Sequence, residues 1–420
     1  MSAENVRTDV LTDVDRLISG ADLSALIDRL AEFGARDDGG VDRQALTQDD
    51  IASRRFLVDY ATSLGAEVSR DPMANMFFRW PGTDNNLTPV VMGSHSDSQP
   101  TGGKYDGAYG VCAALEVLRA MSAAGIRCVR PVEVVIWTNE EGCRFAPGSM
   151  GALSFVHPEK FDGYLSVVDG NGSSVRQELD SHNSQFADVP LRVFASPMFA
   201  FLEAHIEQGP VMDRLGIPVG VVRGAQGTRW FELTVTGSAA HAGCTPRKDR
   251  SDALRRATEI ASRVYSAFDQ GDDALRVTIG RMQVEPGATN VIPERVIMTV
   301  DVRHPAAETL DGFEQMLKSL QASDVAVEKT MDIAPLEFSE PIRKVISSAA
   351  NRLGVRTMET DSGAFHDSVH VAKHCPTGMI FVPSIGGISH NPREETAPAD
   401  LLAGTRVLAA TVLELASQAQ

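Results

Sequence analysis

Residues 88–142 read TPVVMGSHSDSQPTGGKYDGAYGVCAALEVLRAMSAAGIRCVRPVEVVIWTNEEG. The apolar run TPVVMGS (88–94) stops at His95. GAYGVCAALEVLRAM (107–121) has helical patterning, and a second apolar run, VEVVIWT (132–138), stops at Asn139, Glu140 and Glu141. Apolar runs of strand length separated by a helix are the grammar of a largely parallel sheet. In such an open sheet, ligands bind beyond the carboxyl ends of the strands. Here those ends carry a histidine and paired acids.

Working outward, Val10, Leu11, Val14 and Leu17, then Leu23, Leu26, Ile27 and Leu30, recur at helical spacing and predict two N-terminal helices. The texture changes near residue 216. FELTVTG (231–237), a helix from Ser251 to Ala267, LRVTIGRMQV (275–284) and RVIMTVDVRH (295–304) suit a smaller, partly antiparallel α+β layer with a single helix. The parallel-sheet grammar returns with a helix at 341–354, a strand at 377–384 and a helix at 401–416. The expectation is an α/β protein with a mostly parallel-sheet domain in two parts, 1–215 and 330–420, interrupted by a smaller α+β domain at 216–329.

Composition narrows the partners. With 43% hydrophobic and 23% charged residues in 420, the chain has enough apolar surface for large cores, which excludes wholesale disorder. Basic residues number 39 and acidic residues 56, and the net charge of −17 disfavours nucleic acid and anionic membranes. No run approaches ~18 uninterrupted apolar residues, and the acidic opening MSAENVRTDVLTDVDRL lacks a signal-peptide pattern, so no membrane span and a cytoplasmic location are expected. Five cysteines, never spaced C-x-x-C, read as reduced and mostly packed thiols.

The chemistry concentrates at the strand ends. A neutral imidazole at His95 and a carboxylate at Asp106, across the Gly-rich turn GGKYDG, can hold a divalent cation. Asp97 is placed to accept the other ring N–H of His95. Adjacent residues on an extended chain point opposite ways, so Glu140 and Glu141 can divide their work between metal and water. His205 and His390 fall near other strand or loop ends, completing two His/Asp/Glu sets that share one Asp, as two-metal hydrolases do.

Taken in order, GSHSDSQPTGGKYDGAYGV (93–111), WTNEEGCRFAPGSMG (137–151), HIEQGP (205–210), GSAAHAGCTPRKDRSDA (237–253), ATNVIPERV (288–296) with DVRH (301–304), SGAFHDS (362–368) and GISHNPREE (387–395) resemble the hydantoinase/carbamoylase-type amidohydrolases. That family comprises N-carbamoyl-L-amino-acid hydrolases, β-ureidopropionases and allantoate amidohydrolases, a branch of the di-zinc aminoacylase and carboxypeptidase clan. The resemblance spans roughly residues 50 to 400. It implies a di-metal catalytic domain and a lid/dimerisation role for 216–329. One metal falls to His95, Asp106 and His205, the other to Asp106, Glu141 and His390, and the metals are zinc, manganese, cobalt or nickel. Glu140 becomes the general base and then the proton donor to the leaving nitrogen. The resemblance further implies that His241 polarises the scissile carbonyl across a homodimer interface, that Arg303 grips a substrate carboxylate, and that Asn290, Gln208 and His366 line the substrate site.

A histidine at 205, where the clan's peptidases usually carry an acid, points to ureido rather than peptide substrates. The reaction implied is cleavage of the ureido C–N bond of an N-carbamoyl amino acid to amino acid, ammonia and carbon dioxide. The alternatives are allantoate and N-acyl-amino-acid or other amide substrates on the same metals. Three residues depart from the family's usual wording: Phe365 where Gly is usual, Arg247 where Met is common, and Gly287 where Asn is common. A non-catalytic scaffold would have no use for Glu140 beside every ligand. His157, His182, His304, His370 and His374 lack a ligand pattern, and Cys112 and Cys143 are expected to pack.

Overall fold

A computed structural model describes residues 14–419, so Val10 and Leu11 of the first expected helix lie outside the described residues. The chain divides into two compact units. The larger runs through Arg223 and includes Phe338–Thr360 and Phe365 onward. The smaller comprises Gly224–Glu337 with Asp361–Ala364. Both boundaries fall later than the expected 216 and 329. Val219, Val221 and Val222 are fully buried, and Gly220–Val222 pair antiparallel with Met379–Phe381 of the larger unit. At the other end, Val325–Ile333 pairs with Gly227–Thr236 and stays with the smaller unit.

The larger unit is built on four parallel strands in the spatial order Val132–Trp137, Val90–His95, Ala200–Ile206 and Thr377–Val382. Antiparallel strands continue the sheet at both ends: Met76–Trp80 and Glu67–Arg70 on one side, Val219–Ala225 on the other. All four parallel strands are buried along their whole length, which is why they read as largely apolar runs.

The helix Ala108–Ala124 connects Val90–His95 to Val132–Trp137 on one side, while Ala200–Ile206 lies on the other. The chain therefore switches direction at Val90–His95, and the loops leaving it and Ala200–Ile206 part around a crevice. That helix is largely apolar and nearly wholly buried, its one buried acid, Glu116, being paired with Arg119. It stops at Gly125, whose left-handed φ of 64° lets Gly125 and Ile126 N–H cap the Ser122 and Met121 carbonyls.

The smaller unit is a four-stranded antiparallel sheet in the order Val325–Ile333, Gly227–Thr236, Arg295–His304, Arg276–Glu285. Phe231, Leu233 and Val235 alternate inward against Val296, Met298, Val300 and Val302. Two helices cover that face, not the single one expected. Beside Ala253–Asp269 lies Ala307–Ser319, whose Leu310, Phe313 and Leu317 are buried at 3–4 spacing, with Glu314 beside them holding Arg229 and Lys329. A polar residue on the apolar stripe hid this helix. Among the described residues no helix is long and apolar enough to cross a membrane.

Candidate active site

Each residue singled out at a strand end lands at the carboxyl edge of the four parallel strands. His95 is the last residue of its strand, and His205 is the penultimate residue of Ala200–Ile206. Glu140 and Glu141 follow Trp137 by a short turn, and His390 lies on the loop beyond Val382. Asp106 precedes the helix Ala108–Ala124. At the next residue, Gly107, φ is +63° and a side chain would collide with the His95 imidazole, so only glycine lets the turn close there.

The imidazole orientations follow from their hydrogen bonds. His95 Nδ1 lies 2.9 Å from the Asp97 carbonyl oxygen, which can only accept, so the proton sits on Nδ1. Its Nε2 faces Glu140 Oε2 at 3.5 Å and Asp106 Oδ1 at 4.0 Å. His205 Nδ1 donates to the Ile206 carbonyl at 2.9 Å, and its Nε2 lies 3.2 Å from Asp106 Oδ1. His390 Nε2 stands 3.1 Å from Asp106 Oδ2 and 3.6 Å from Glu141 Oε2. His95, Asp106 and His205 thus offer ligand atoms within 4.8 Å of one another, and so do Asp106, Glu141 and His390.

The role expected of the Asp97 carboxylate is corrected in one respect. Asp97 meets the His95 ring through its backbone carbonyl, while Oδ1 stands 3.8 Å off. The carboxylate instead accepts the Glu140 and Glu141 N–H groups, both at 3.2 Å, and so fixes the turn that carries the two acids. That turn starts at Asn139, in the left-handed region at φ +57°, with its amide donating to the Phe145 carbonyl at 2.8 Å. From it the two acids diverge. Glu140 faces His95, while Glu141 is held by Gln99 through N–H at 3.1 Å and Nε2 at 2.6 Å.

Gln208 donates through Nε2 to Asp106 Oδ2 at 2.9 Å, and its Oε1 is buried without a hydrogen-bond partner among the described residues. His366 is buried with its ring edge-on to His205, centroids 4.5 Å apart. A third donor group, Glu203, His205 and His366, also satisfies the 4.8 Å spacing. Glu203, however, already accepts from Ser94 Oγ at 2.7 Å and from the N–H and hydroxyl of Ser368, so it ties the strand Val90–His95 to the short helix Asp367–Val371.

Electrostatics set the protonation states. Burial drives His95 down to about 4, so it is neutral at pH 7. Burial also opposes the charge of His205, yet the hydrogen bond to Asp106 and the nearby carboxylates outweigh it and lift the ring to about 9. His390 rises to about 9 chiefly through its hydrogen bond to Asp106. Asp106 itself is held well below the usual range, because its imidazole partners overcome the cost of burial. Burial and then the Asp367, Glu141, Asp97 and Asp106 carboxylates push Glu140 well above the ordinary range. Burial and Asp106 raise Glu141 to about 8.

The donor set fits divalent cations. At His205 Nε2 the neighbours make opposite demands, since the Gly107 N–H at 3.2 Å asks for a lone pair and Asp106 for a proton. A cation shared with Asp106 takes the place of that proton, and the lone pair then binds the cation instead of the Gly107 N–H. Mixed imidazole and carboxylate donors suit zinc, manganese, cobalt or nickel.

His241, Asn290 and Arg303 lie in the smaller unit. The short strand Ala240–His241 pairs with Val291–Ile292, and Ala242 N–H donates to the Asn290 carbonyl at 3.0 Å, so His241 and Asn290 sit on facing segments. His241 Nδ1 accepts from the Gly243 and Cys244 N–H groups at 3.1 and 3.2 Å, which leaves the ring proton on Nε2 as an exposed donor. Arg303 is engaged by Asp301 through Nε and Nη2 and donates from Nη1 to the Gly363 carbonyl at 3.1 Å.

Several contributing residues escaped the sequence reading. Arg43 and Arg54 are fully buried behind the His95 loop. Arg43 donates to the Ser96 carbonyl at 2.7 Å, and Arg54 pairs with Asp50 and reaches the Ala74 and Trp137 carbonyls. Glu394 accepts from the Tyr105 and Asp106 N–H groups, and burial raises it to about 7. Asp367 is buried among the acids. Cys143 is exposed, not packed as expected, although its thiol donates to the Ser98 carbonyl at 3.5 Å. Cys244 is exposed too, while Cys112, Cys128 and Cys375 are buried. His157, His182, His304, His370 and His374 fall in none of the three donor groups.

Comparison with known proteins gives a consistent result. The family model described as peptidase family M20/M25/M40 matches residues 91–414. The N-carbamoyl-L-amino-acid amidohydrolase of Rhizobium meliloti is 36% identical over 395 residues, covering 92% of this chain and 94% of that protein. The allantoate amidohydrolase of Bacillus subtilis (strain 168) is 32% identical over 398 residues, covering 93% and 96%. The crystal structure of an amidase of the hydantoinase/carbamoylase family from Burkholderia multivorans superposes with a TM-score of 0.89 at 40% identity, covering 95% of this chain and 98% of that one.

Proposed function

We propose, from the premise that the chain belongs to peptidase family M20/M25/M40 and is an enzyme hydrolysing C–N bonds, that it cleaves the ureido C–N bond of N-carbamoyl amino acids. The observation that carries this is the convergence of His95, Asp106, His205, Glu141 and His390 around one shared carboxylate, with Glu140 beside them. The 36% identity to an N-carbamoyl-L-amino-acid amidohydrolase over nearly the whole chain supports the substrate class. The 32% relative named allantoate amidohydrolase supports a second reading, allantoate on the same donors.

In this reading two divalent ions bind, one by His95, Asp106 and His205, the other by Asp106, Glu141 and His390. Ions held there supply Lewis-acid polarisation and lower the pKa of water. Glu140 accepts the proton of the attacking water on a carboxylate oxygen and returns it to the departing amine nitrogen as the C–N bond breaks. This releases the amino acid and carbamate, which falls to ammonia and carbon dioxide. His241 Nε2–H donates to the carbonyl oxygen as charge develops on it, a term often worth several kcal/mol.

Arg303 holds the substrate carboxylate bidentately, and Gln208, Asn290 and His366 line the site. The smaller unit serves as lid and dimerisation surface, with His241 and Arg303 acting across a homodimer. Five unpaired thiols suit a reducing, cytoplasmic setting.

The test is to strip the protein of metal and reload it separately with zinc and manganese. Amine and ammonia release is then followed from N-carbamoyl-β-alanine, N-carbamoyl-L-α-amino acids, allantoate and N-acetyl-amino acids. Turnover confined to the N-carbamoyl acids is expected. Turnover of the acetyl compounds alone would overturn the ureido assignment.

A further inference from the structure

We infer that Glu394 is a positioning residue that braces the shared aspartate and the His390 loop together, and that its loss weakens the Asp106–Glu141–His390 subsite more than the His95–Asp106–His205 subsite. The inference rests on the metal reading above.

Glu394 is buried, and each of its oxygens has a distinct task. Oε1 accepts the backbone N–H of Tyr105 at 3.0 Å and that of Asp106 itself at 3.1 Å. Oε2 accepts the Ser389 hydroxyl at 2.9 Å, and Ser389 Oγ also lies 3.3 Å from Asp106 Oδ2. One side chain from the loop after the last parallel strand therefore fixes the backbone of Asp106 and the residue next to His390, segments 283 positions apart in sequence.

His390 needs such a brace. It is half-exposed, sits on a loop outside regular structure and adopts a left-handed φ of +51°, a conformation that costs a non-glycine residue energy unless its surroundings impose it. His95 and His205 belong to fully buried strands and have no such need. Of the ligands Asp106, Glu141 and His390, Glu394 governs two, and of His95, Asp106 and His205 it governs one. Hence the unequal effect.

Gly103 is an independent sign that the brace is built in. A side chain there would collide with Cβ and Oε1 of Glu394. The Gly-rich turn before Asp106 thus leaves room for this carboxylate to reach the two amides.

The experiment is calorimetric titration of the metal-stripped full chain with Zn²⁺, comparing wild type with Glu394→Ala, Glu394→Gln, Gly103→Ala and, as an exposed neighbouring control, Glu395→Gln. Amide hydrogen exchange of the metal-free proteins over 103–107 is measured alongside. Two ions bind the wild type and the control. Glu394→Ala and Gly103→Ala lose about 10–100-fold at one step, the usual effect of removing a group that orients a ligand, and lose protection at Tyr105 and Asp106. Glu394→Gln is close to wild type, because its Oε1 still accepts both amides and its Nε2 can donate to the Ser389 hydroxyl.

Adding Glu394→Ala to His390→Ala costs that step less than Glu394→Ala does alone, since both act on one subsite. If Glu394→Ala does not fold, Glu394→Asp, too short to reach both amides, carries the same comparison. Two ions bound by Glu394→Ala within about twofold of wild type, the span over which unrelated substitutions add, overturns the brace alone. An equal loss at both steps overturns the claim of unequal effect. Absence of divalent-ion binding by the wild type overturns the metal reading and the brace with it.

Discussion

Replacing Glu140 with Gln is the sharpest test of the proposed chemistry, because this residue and its neighbour have separate surroundings. Its N–H is fixed by the Asp97 carboxylate at 3.2 Å, and that bond survives the substitution. Its side chain is only 9% exposed, with Oε2 3.5 Å from His95 Nε2, and glutamine fills the same volume. Glu141 keeps its place through Gln99 and stays beside His390. What disappears is an oxygen able to take a proton. General-base catalysis is typically worth ~10²–10⁴ in rate, or about 2.7–5.4 kcal/mol of barrier at 1.36 kcal/mol per tenfold. The expected result is a fall in kcat of that size, with KM and bound metal nearly unchanged. The assay is steady-state release of amine from an N-carbamoyl amino acid, with metal content measured on the same samples. If kcat stays within about tenfold of wild type with metal fully bound, the proton goes elsewhere. If metal is lost, Glu140 is a ligand and the division of labour with Glu141 is wrong.

Arg54→Met leaves the fully buried Asp50 carboxylate unpaired and should lower the free energy of unfolding by ~3–5 kcal/mol; the Asp50→Leu/Arg54→Met double variant should recover much of it in denaturant titrations, and equal instability of the two would contradict the argument. In the metal-free protein His205 and His390 stand at about 9 and Glu141 at about 8, so at pH 7 these groups carry protons that metal must displace. Loading at pH 7 should therefore release protons in a pH-stat, and affinity should tighten as pH rises from 7 to 9; an affinity flat over that window would refute it. Mixing the inactive His95→Ala and His241→Ala variants should restore part of the activity through hybrid dimers, whereas no recovery after proven subunit exchange would show that each site is made within one chain.

The parts of this molecule legible in its sequence are those where local pattern and tertiary placement agree. Val90–His95 and Val132–Trp137 are buried on both faces, so they read as apolar runs, and the first polar residues after them necessarily mark the edge where ligands bind. Ala200–Ile206 reads less clearly, because Glu203 interrupts an otherwise apolar strand; its carboxylate is tolerated only because Ser94 and Ser368, distant in sequence, supply the donors. The helix Ala307–Ser319 failed to register for the same reason, with Glu314 on its buried stripe serving Arg229 and Lys329.

The same physics explains why the framework of the site was harder to read than its ligands. Histidines and acids at strand ends carry their own signal, whereas Glu394 and Glu395 are identical residues side by side, and only the fold turns one inward onto Asp106 and leaves the other in solvent. Arg43 and Arg54 look like surface arginines of an N-terminal segment, yet both are wholly buried, Arg43 bonding the Ser96 carbonyl between His95 and Asp97 and Arg54 the Trp137 carbonyl that leads to Glu140 and Glu141. A centre that gathers Asp97, Asp106, Glu140, Glu141, Glu203, Asp367 and Glu394 repels itself in a medium of low dielectric. It therefore holds its shape only with donors and cations fixed around it. Two buried guanidiniums, the amides of residues 105, 106, 140 and 141 and the hydroxyls of Ser94, Ser368 and Ser389 meet part of that need, and divalent ions on the shared Asp106 would meet the rest.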